Sequence, residues 1–155
     1  MRYFVASRSE IDMKRKPKGS ITPSMFRRAF LKGMSVVRLD RASAEELFNS
    51  AKILYDYQVA QDPRYGGIVG VVDFKAETVR WAESDGDRLC CVLDTPLENR
   101  LAHADVVHHR GAVDAETERS LKSVLFNQIG GARAFRSTAT LDDSDLKSLL
   151  PACLK

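Results

Sequence analysis

The sequence predicts a single α+β domain with a central, mostly antiparallel sheet and helices near both ends. Short apolar, β-branched segments cluster in the middle of the chain, and stretches of helical periodicity lie nearer its two ends. This grouping is typical of an α+β domain rather than of a regular βαβ repeat. The length of 155 residues, 44% of them apolar, fits one domain over residues 1–155 with an ordinary core.

The N-terminal part of the chain begins with a strand and a helix. Residues 3–6 are apolar and predict a short first strand. Thr22 and Pro23 then predict the N-cap and first position of a helix that ends near Gly33.

A second strand and a longer helix follow. Residues 36–39 predict the strand. Ser43 and Glu46 have the spacing of a capping box, which opens a helix that continues to about Ala60.

The middle of the chain predicts four further strands, and the C-terminal third predicts two helices. The strand candidates are residues 68–72, 78–81, 89–93 and 104–108, with a turn over 84–87. The helix candidates are a stripe of apolar residues over 121–129 and a short segment over 143–150.

The net charge of +3 is unevenly distributed. Residues 1–33 hold nine basic and two acidic residues, whereas residues 34–155 hold 15 basic and 19 acidic ones. The chain therefore divides into a basic N-terminal segment, 1–33, and a mildly acidic body, 34–155. Such a block of charge attracts phosphate, nucleic acid or an acidic protein surface. The alternative is a solvated loop that docks on the chain's own acidic body.

Phosphate-binding candidates lie in this segment and around a later histidine cluster. They are Lys14, Arg15, Lys16, Lys18, Arg100 and Arg110. The first four stand beside Pro17 and Gly19, which predicts a loop. We expect an acidic protein or a nucleic acid as the partner of this loop.

The cysteine pattern and hydropathy predict a cytoplasmic protein. Cys90 and Cys91 are adjacent and Cys153 is the only other cysteine, which is a poor framework for disulfides or a zinc site. No apolar run approaches the roughly 20 residues that span a bilayer, and no secretory signal is apparent at the N-terminus. We therefore expect no membrane association. The oligomeric state stays open.

Asp73 and Lys75 end an apolar strand with a spacing found in PD-(D/E)xK-type nucleases. That chemistry needs a carboxylate to hold a metal ion and an ammonium group to stabilise the charge on the attacking water and the phosphate. Asp62 and Asp56 are candidates for a second carboxylate. The alternative is an ion pair at the surface end of a strand. The cofactor is unknown, with a divalent metal ion as a candidate.

All three histidines fall within seven positions, between Arg100 and Arg110. On a strand, His103 and Asp105 share one face, so the carboxylate can orient the imidazole for acid–base catalysis. His109 lies on that face too if the strand continues, and with Asp73 it is a candidate metal ligand, whereas His108 faces away. A polar strand edge is the alternative interpretation.

Arg38 stands among apolar residues of the second predicted strand and needs an acidic partner there. Asp73, Glu77 and Asp105 are the candidates for that partner. An arginine on one strand and a histidine on another also grip phosphate or ribose in some nucleotide-handling folds, including ADP-ribosyltransferases. We therefore include Arg38 with His103 and Asp105 as candidate catalytic residues.

The order of several motifs resembles a pattern in small uncharacterised bacterial proteins, "LSV-R … P-x-NxAHA-[DE]-[VI]". The matching segments are 15–20 with Phe26, 34–38, 67–71, 94–96 and 99–106. This chain departs from the pattern at Lys18-Gly19, which is inserted, and at Arg100-Leu101, where a proline is usual. The resemblance implies a bacterial origin and a recognisable core around the turn before His103. It assigns no reaction.

Two hypotheses for function follow. The first is a phosphate- or nucleic-acid-processing enzyme, similar to a nuclease or a nucleotidyl- or ADP-ribosyl-transferase, which predicts that Arg38, Asp73 and His103 converge in one cleft. The second is a non-catalytic protein-interaction or regulatory subunit, which predicts an apolar or charged surface patch instead.

Overall fold

A six-stranded, entirely antiparallel sheet organises the computed structural model, which describes residues 2–5, 11–12, 20–61, 70–129 and 133–136. Its strands are β1 Arg2–Val5, β4 Met34–Val37, β5 Gly70–Asp73, β8 Cys90–Asp94, β9 His103–His108 and β10 Arg133–Arg136. Across the sheet they stand in the order β10-β5-β1-β4-β9-β8. Two short antiparallel pairs are separate from it: β2 Ile11–Asp12 with β3 Ser20–Ile21, and β6 Glu83–Ser84 with β7 Asp87–Arg88.

Four helices accompany the sheet in the described part of the chain. They are a 3₁₀ helix over Pro23–Phe30, α1 over Ala44–Gln61, α2 over Ala76–Arg80 and α3 over Ala115–Ile129. The predicted fold class, α+β with an antiparallel sheet, is confirmed. The helix predicted over 143–150 lies outside the described residues.

The core lies on one face of the sheet, under the 3₁₀ helix and α3. Alternating residues of β4 and β9 point into it, among them Met34, Val36, Ala104 and Val106, all fully or almost fully buried. The 3₁₀ helix adds Phe26, whose ring meets that of Phe74 edge to face. Leu47 and Ala51 of α1 are buried too but lie outside this cluster.

The helix after Thr22 forms where it is predicted, but as a 3₁₀ helix. Pro23 occupies its first turn, and the side chain of Thr22 makes no capping hydrogen bond to it. Gly33 follows with φ +96, and a Cβ there would stand 3.3 Å from Cγ1 of Val107. Glycine therefore suits both the backbone geometry and the close approach of β9.

The capping box of α1 is half formed. The backbone N–H of Glu46 donates to Oγ of Ser43 over 3.0 Å, as predicted. The carboxylate of Glu46 does not return to Ser43 but accepts from the backbone N–H of Ala102 over 2.6 Å. This bond ties the first turn of α1 to the turn before β9.

The predicted strand over residues 78–81 is wrong, because this segment forms α2. Its β-branched residues suggested a strand, but a single helical turn buries Val79 in the core and leaves Trp81 exposed beneath the guanidinium of Arg88. Tertiary burial therefore overrides the local propensity. The predicted turn at 84–87 is confirmed as the β6–β7 hairpin turn, with positive φ at Asp85 and Gly86.

Candidate functional site

The face of the sheet opposite the core carries the predicted catalytic pair. Across β4 and β9, Ser35 is opposite Asp105 and Val37 is opposite His103. Leu93 of β8 is opposite Asp105 on its other side. Directly opposed residues of an antiparallel pair share a face. The β4–β9–β8 half of the sheet therefore places these side chains on one face, and we call Ser35, His103, Asp105 and Thr95 the polar face.

His103 is buried within the polar face, with only 9% of its side chain exposed. Its Nδ1 lies 2.8 Å from the carbonyl oxygen of Thr95 and 3.0 Å from the hydroxyl of the same residue. A carbonyl oxygen can only accept, so the ring donates from Nδ1. The residue that follows β8 therefore fixes the orientation of the imidazole.

Asp105 is held by hydroxyl groups rather than by His103. Oγ1 of Thr95 donates to one carboxylate oxygen over 2.8 Å, and Oγ of Ser35 donates to the other over 3.2 Å. The second oxygen stands 4.0 Å from Nε2 of His103, which is beyond hydrogen-bonding distance. The carboxylate and the imidazole are neighbours that share Thr95 as their common partner.

Arg38 follows the end of β4 and joins the end of β8 to the turn before β9. Its Nη2 donates to the carbonyl of Leu101 over 2.9 Å, and its Nε donates to that of Ala102 over 3.4 Å. Its Nη1 pairs with Asp94. The acidic partner of Arg38 is therefore Asp94, and the predicted partners, Asp73, Glu77 and Asp105, were wrong. His103 and Asp105 lie together on β9, whereas the guanidinium of Arg38 is occupied by this clamp on the turn.

Asp73 lies in the same cross-sheet row as His103 but three strands away. The row pairs Asp73 with Arg2, Arg2 with Val37 and Val37 with His103. Three strand spacings amount to about 14 Å. Arg38, Asp73 and His103 therefore do not converge at one point.

The metal-ligand candidates are likewise separate. β9 ends at His108, so His109 lies in the turn after the strand, where its Nε2 accepts from Nε of Arg110 over 2.9 Å. No group of three His, Cys, Asp or Glu side chains capable of holding a metal ion occurs among the residues that the structure describes. Asp56 is exposed on α1 with Lys52 3.9 Å away, and Asp62 lies outside the described residues.

His108 faces away from His103 and Asp105, as predicted, and lies on the core side of the sheet. Its Nδ1 lies 3.0 Å from the carbonyl oxygen of Gly111, and its ring packs beside Phe30 with the centroids 5.6 Å apart. It therefore closes the turn after β9.

The phosphate-binding candidates occupy three different places. Arg100 precedes β9 and Arg110 follows it, so about 17 Å of strand separates them and they do not form one clamp. Arg110 pairs with Asp87 of the β6–β7 hairpin. Lys14, Arg15, Lys16 and Lys18 lie outside the described residues. The segment that holds them connects β2 to β3, which pair through Ile11 with Ile21 and Asp12 with Ser20.

The sequence did not reveal the leucines beside the polar face. Leu93, Leu97 and Leu101 are 47%, 40% and 67% exposed and belong to β8 and the turn that follows it. We call them the leucine corner. Arg38 lies among them, since it binds Asp94 and the carbonyl of Leu101. The sequence signal that could have revealed this corner is the presence of Leu97 and Leu101, two apolar residues, in the turn between two strands.

Comparison of the chain with protein-family models, with curated proteins and with solved structures found no match. Among the described residues, no helix is both long and apolar enough to cross a membrane.

Proposed function

We propose that this chain is a nucleic-acid-binding module that holds a phosphate backbone through its basic N-terminal segment and does not act on it chemically. The observation that carries the proposal is the pairing of β2 with β3, which makes the segment containing Lys14, Arg15, Lys16 and Lys18 the connection of a two-stranded ribbon. Four cations within seven residues of sequence between two paired strands suit contact with the phosphates of a nucleic acid.

The hydrogen bonds of the polar face support the non-catalytic part of the proposal. General acid–base catalysis needs a side chain within hydrogen-bonding reach of the reacting group. His103 is buried and donates to Thr95, Asp105 accepts from Ser35 and Thr95, and Arg38 holds the turn before β9. These groups have the partners expected of a structural network.

The charge of the surrounding residues supports the choice of ligand. The 3₁₀ helix that follows β3 presents Arg27 and Arg28 to solvent and has no acidic residue in its first turn. Two exposed cations therefore follow the basic segment in the sequence. A nucleic acid, which carries one charge per phosphate, complements such a series of cations better than a single small anion.

The test is binding to a fluorescent DNA duplex at several salt concentrations. Replacing Lys14, Arg15, Lys16 and Lys18 together with Ala is expected to weaken binding tenfold or more and to reduce the slope of log K against log salt by up to about 3 to 4. The matched control replaces Lys52, Lys75, Arg80 and Arg119, four exposed cations of the body, and is expected to bind almost normally.

Three outcomes would overturn the proposal. The first is no binding of DNA or RNA at low salt, and the second is an equal loss of affinity in the control. The third is cleavage or modification of the nucleic acid that His103→Ala abolishes while binding is retained, which would restore the enzymatic hypothesis.

A further inference from the structure

β8 forms one edge of the six-stranded sheet, and no described strand pairs with its second side. Edge strands of monomeric proteins are usually protected by lysine, proline, a charge that points inward or a covering element. β8 has the sequence Cys-Cys-Val-Leu-Asp and contains none of these residues before its last position. α2 contacts β8 through the core, where Val79 and Cys90 belong to the same cluster.

The backbone of β8 presents hydrogen-bonding groups at this edge. The N–H of His109 donates to the carbonyl of Leu89, which marks these two as a hydrogen-bonded pair of the β8–β9 ladder. In an antiparallel ladder such pairs alternate with pairs whose N–H and C=O groups point away. The backbone groups of Val92, at the centre of β8, therefore point toward the open edge.

We propose that two copies of this chain pair through β8 about a two-fold axis at Val92, which joins their sheets into one. A two-fold axis makes the paired strands antiparallel and uses the same surface of both copies. With Val92 opposite its counterpart, Leu93 stands opposite Cys91 of the second copy. Leu93 is 47% exposed and Cys91 is half-buried, and both lie on the same face of the sheet. In this register, Leu93 of each copy is covered by the other copy, so the contact occurs twice about the two-fold axis.

The charges at the two ends of β8 favour the same arrangement. Antiparallel pairing brings the β6–β7 hairpin of one copy beside the leucine corner of the other. The hairpin presents the carboxylates of Glu83, Asp85 and Asp87 against the guanidinium groups of Arg88 and of Arg110, which pairs with Asp87. Beside the leucine corner, Arg41 and Arg100 are accessible cations and Asp94 and Glu98 are exposed carboxylates, while the guanidinium of Arg38 is only 12% exposed and pairs with Asp94. Carboxylates of the hairpin then lie beside accessible cations of the corner, which favours a second copy over an arbitrary extended peptide.

The first test is the molar mass of the full chain in solution, measured by light scattering over a wide range of concentration. We expect a dimer. Leu93→Lys places a charge opposite Cys91 of the second copy and is expected to raise the dissociation constant about tenfold or more. Ile53→Lys on α1 is the matched control, because Ile53 is 49% exposed, and it is expected to leave the dimer intact.

The second test fixes the register and does not depend on the stability of the lysine variant. In a Cys153→Ser background, Leu93→Cys is expected to form disulfides with Cys91 of the second copy, which a non-reducing gel detects as a dimer. Adding Cys91→Ser is expected to abolish that dimer. A wild-type monomer at every concentration, a dimer insensitive to Leu93→Lys, or a cross-link that survives Cys91→Ser would each overturn the proposal. A monomer that pairs with another protein's strand at β8 would overturn it too.

Discussion

The carboxylate of Glu46 and the backbone N–H of Ala102 are joined by a hydrogen bond of 2.6 Å across 56 residues of chain. Ala102 is fully buried, so its N–H depends on this acceptor. An unsatisfied buried donor costs about 1–3 kcal/mol. The bond therefore holds the turn before β9 against the start of α1.

Replacing Glu46 with Ala is expected to lower the free energy of unfolding by about 1–3 kcal/mol, measured by urea denaturation. Glu46→Gln keeps a carbonyl acceptor and is expected to retain much of that stability. Glu45→Ala removes a carboxylate from the same helical turn but from an exposed position, and controls for the helix dipole. An equal loss in the Glu45 variant would contradict the assigned role of Glu46.

Arg38→Lys is expected to destabilise the fold by about 2 kcal/mol, because an ammonium group cannot serve Asp94 and two carbonyls at once. Arg41→Ala is the matched control. Arg41 is exposed and its Nη1 lies 3.6 Å from Asp94, so its loss is expected to cost less than about 1 kcal/mol. If the two variants unfold at the same urea concentration, Arg38 is not the clamp described.

His103 is expected to carry its hydrogen on Nδ1 when the ring is neutral, because the Thr95 carbonyl can only accept. The nitrogen-15 chemical shifts of the ring distinguish this tautomer directly. His108 has the same relationship to the carbonyl of Gly111 and is expected to give the same result. Protonation of His103 on Nε2 instead would contradict the hydrogen bond to Thr95.

Cys90 is expected to react with iodoacetamide more slowly than Cys91 in the folded protein, because Cys90 is buried and Cys91 is half-buried. Burial, with a smaller contribution from neighbouring Cys91, raises the pKa of the Cys90 thiol to about 12, so little nucleophilic thiolate forms near neutral pH. Mass spectrometry of a Cys153→Ser variant after iodoacetamide treatment locates the modification. Labelling of Cys90 as fast as Cys91 without denaturant would contradict the packing of β8.

Asp114 is expected to make folding pH-dependent in acid. The Thr117 hydroxyl, followed by the backbone N–H groups of Thr117 and Glu116, holds the pKa of its carboxyl below the ordinary value of 3.8. Its stabilising effect on α3 is therefore complete above pH 3.8 and is lost as the pH falls through the lowered pKa. Asp114→Asn is expected to remove this part of the pH dependence, as measured by thermal unfolding between pH 2 and 5. An unchanged pH profile would contradict the role of Asp114 as the acceptor for the first backbone N–H groups of α3.

The elements with strong local signals were predictable from the sequence. Ser43 opens α1 and Gly86 forms a hairpin turn, because capping and positive φ are properties of a few neighbouring residues. The alternation of β9 also placed His103 and Asp105 on one face and His108 on the other.

Features that depend on strand order were not predictable. The partner of Arg38 is Asp94 because β8 is next to β9, whereas the predicted partner Asp73 is on a strand three positions from His103. β10 was missed as well, since only two apolar residues stand between its two terminal arginines. Local patterns do not determine which strands become neighbours.

The order of the strands also constrains how the chain is made. Ser35 and Asp105, which face each other across β4 and β9, are 70 residues apart in the sequence. The paired strands β1 and β5 are separated by a similar number of residues. On the ribosome, β4 therefore emerges long before its main partner has been synthesised. Late pairing of strands that are distant in the sequence slows folding and leaves the apolar strands exposed until their partners have been synthesised. A nascent chain that stops before β9 is complete is a natural substrate for chaperones.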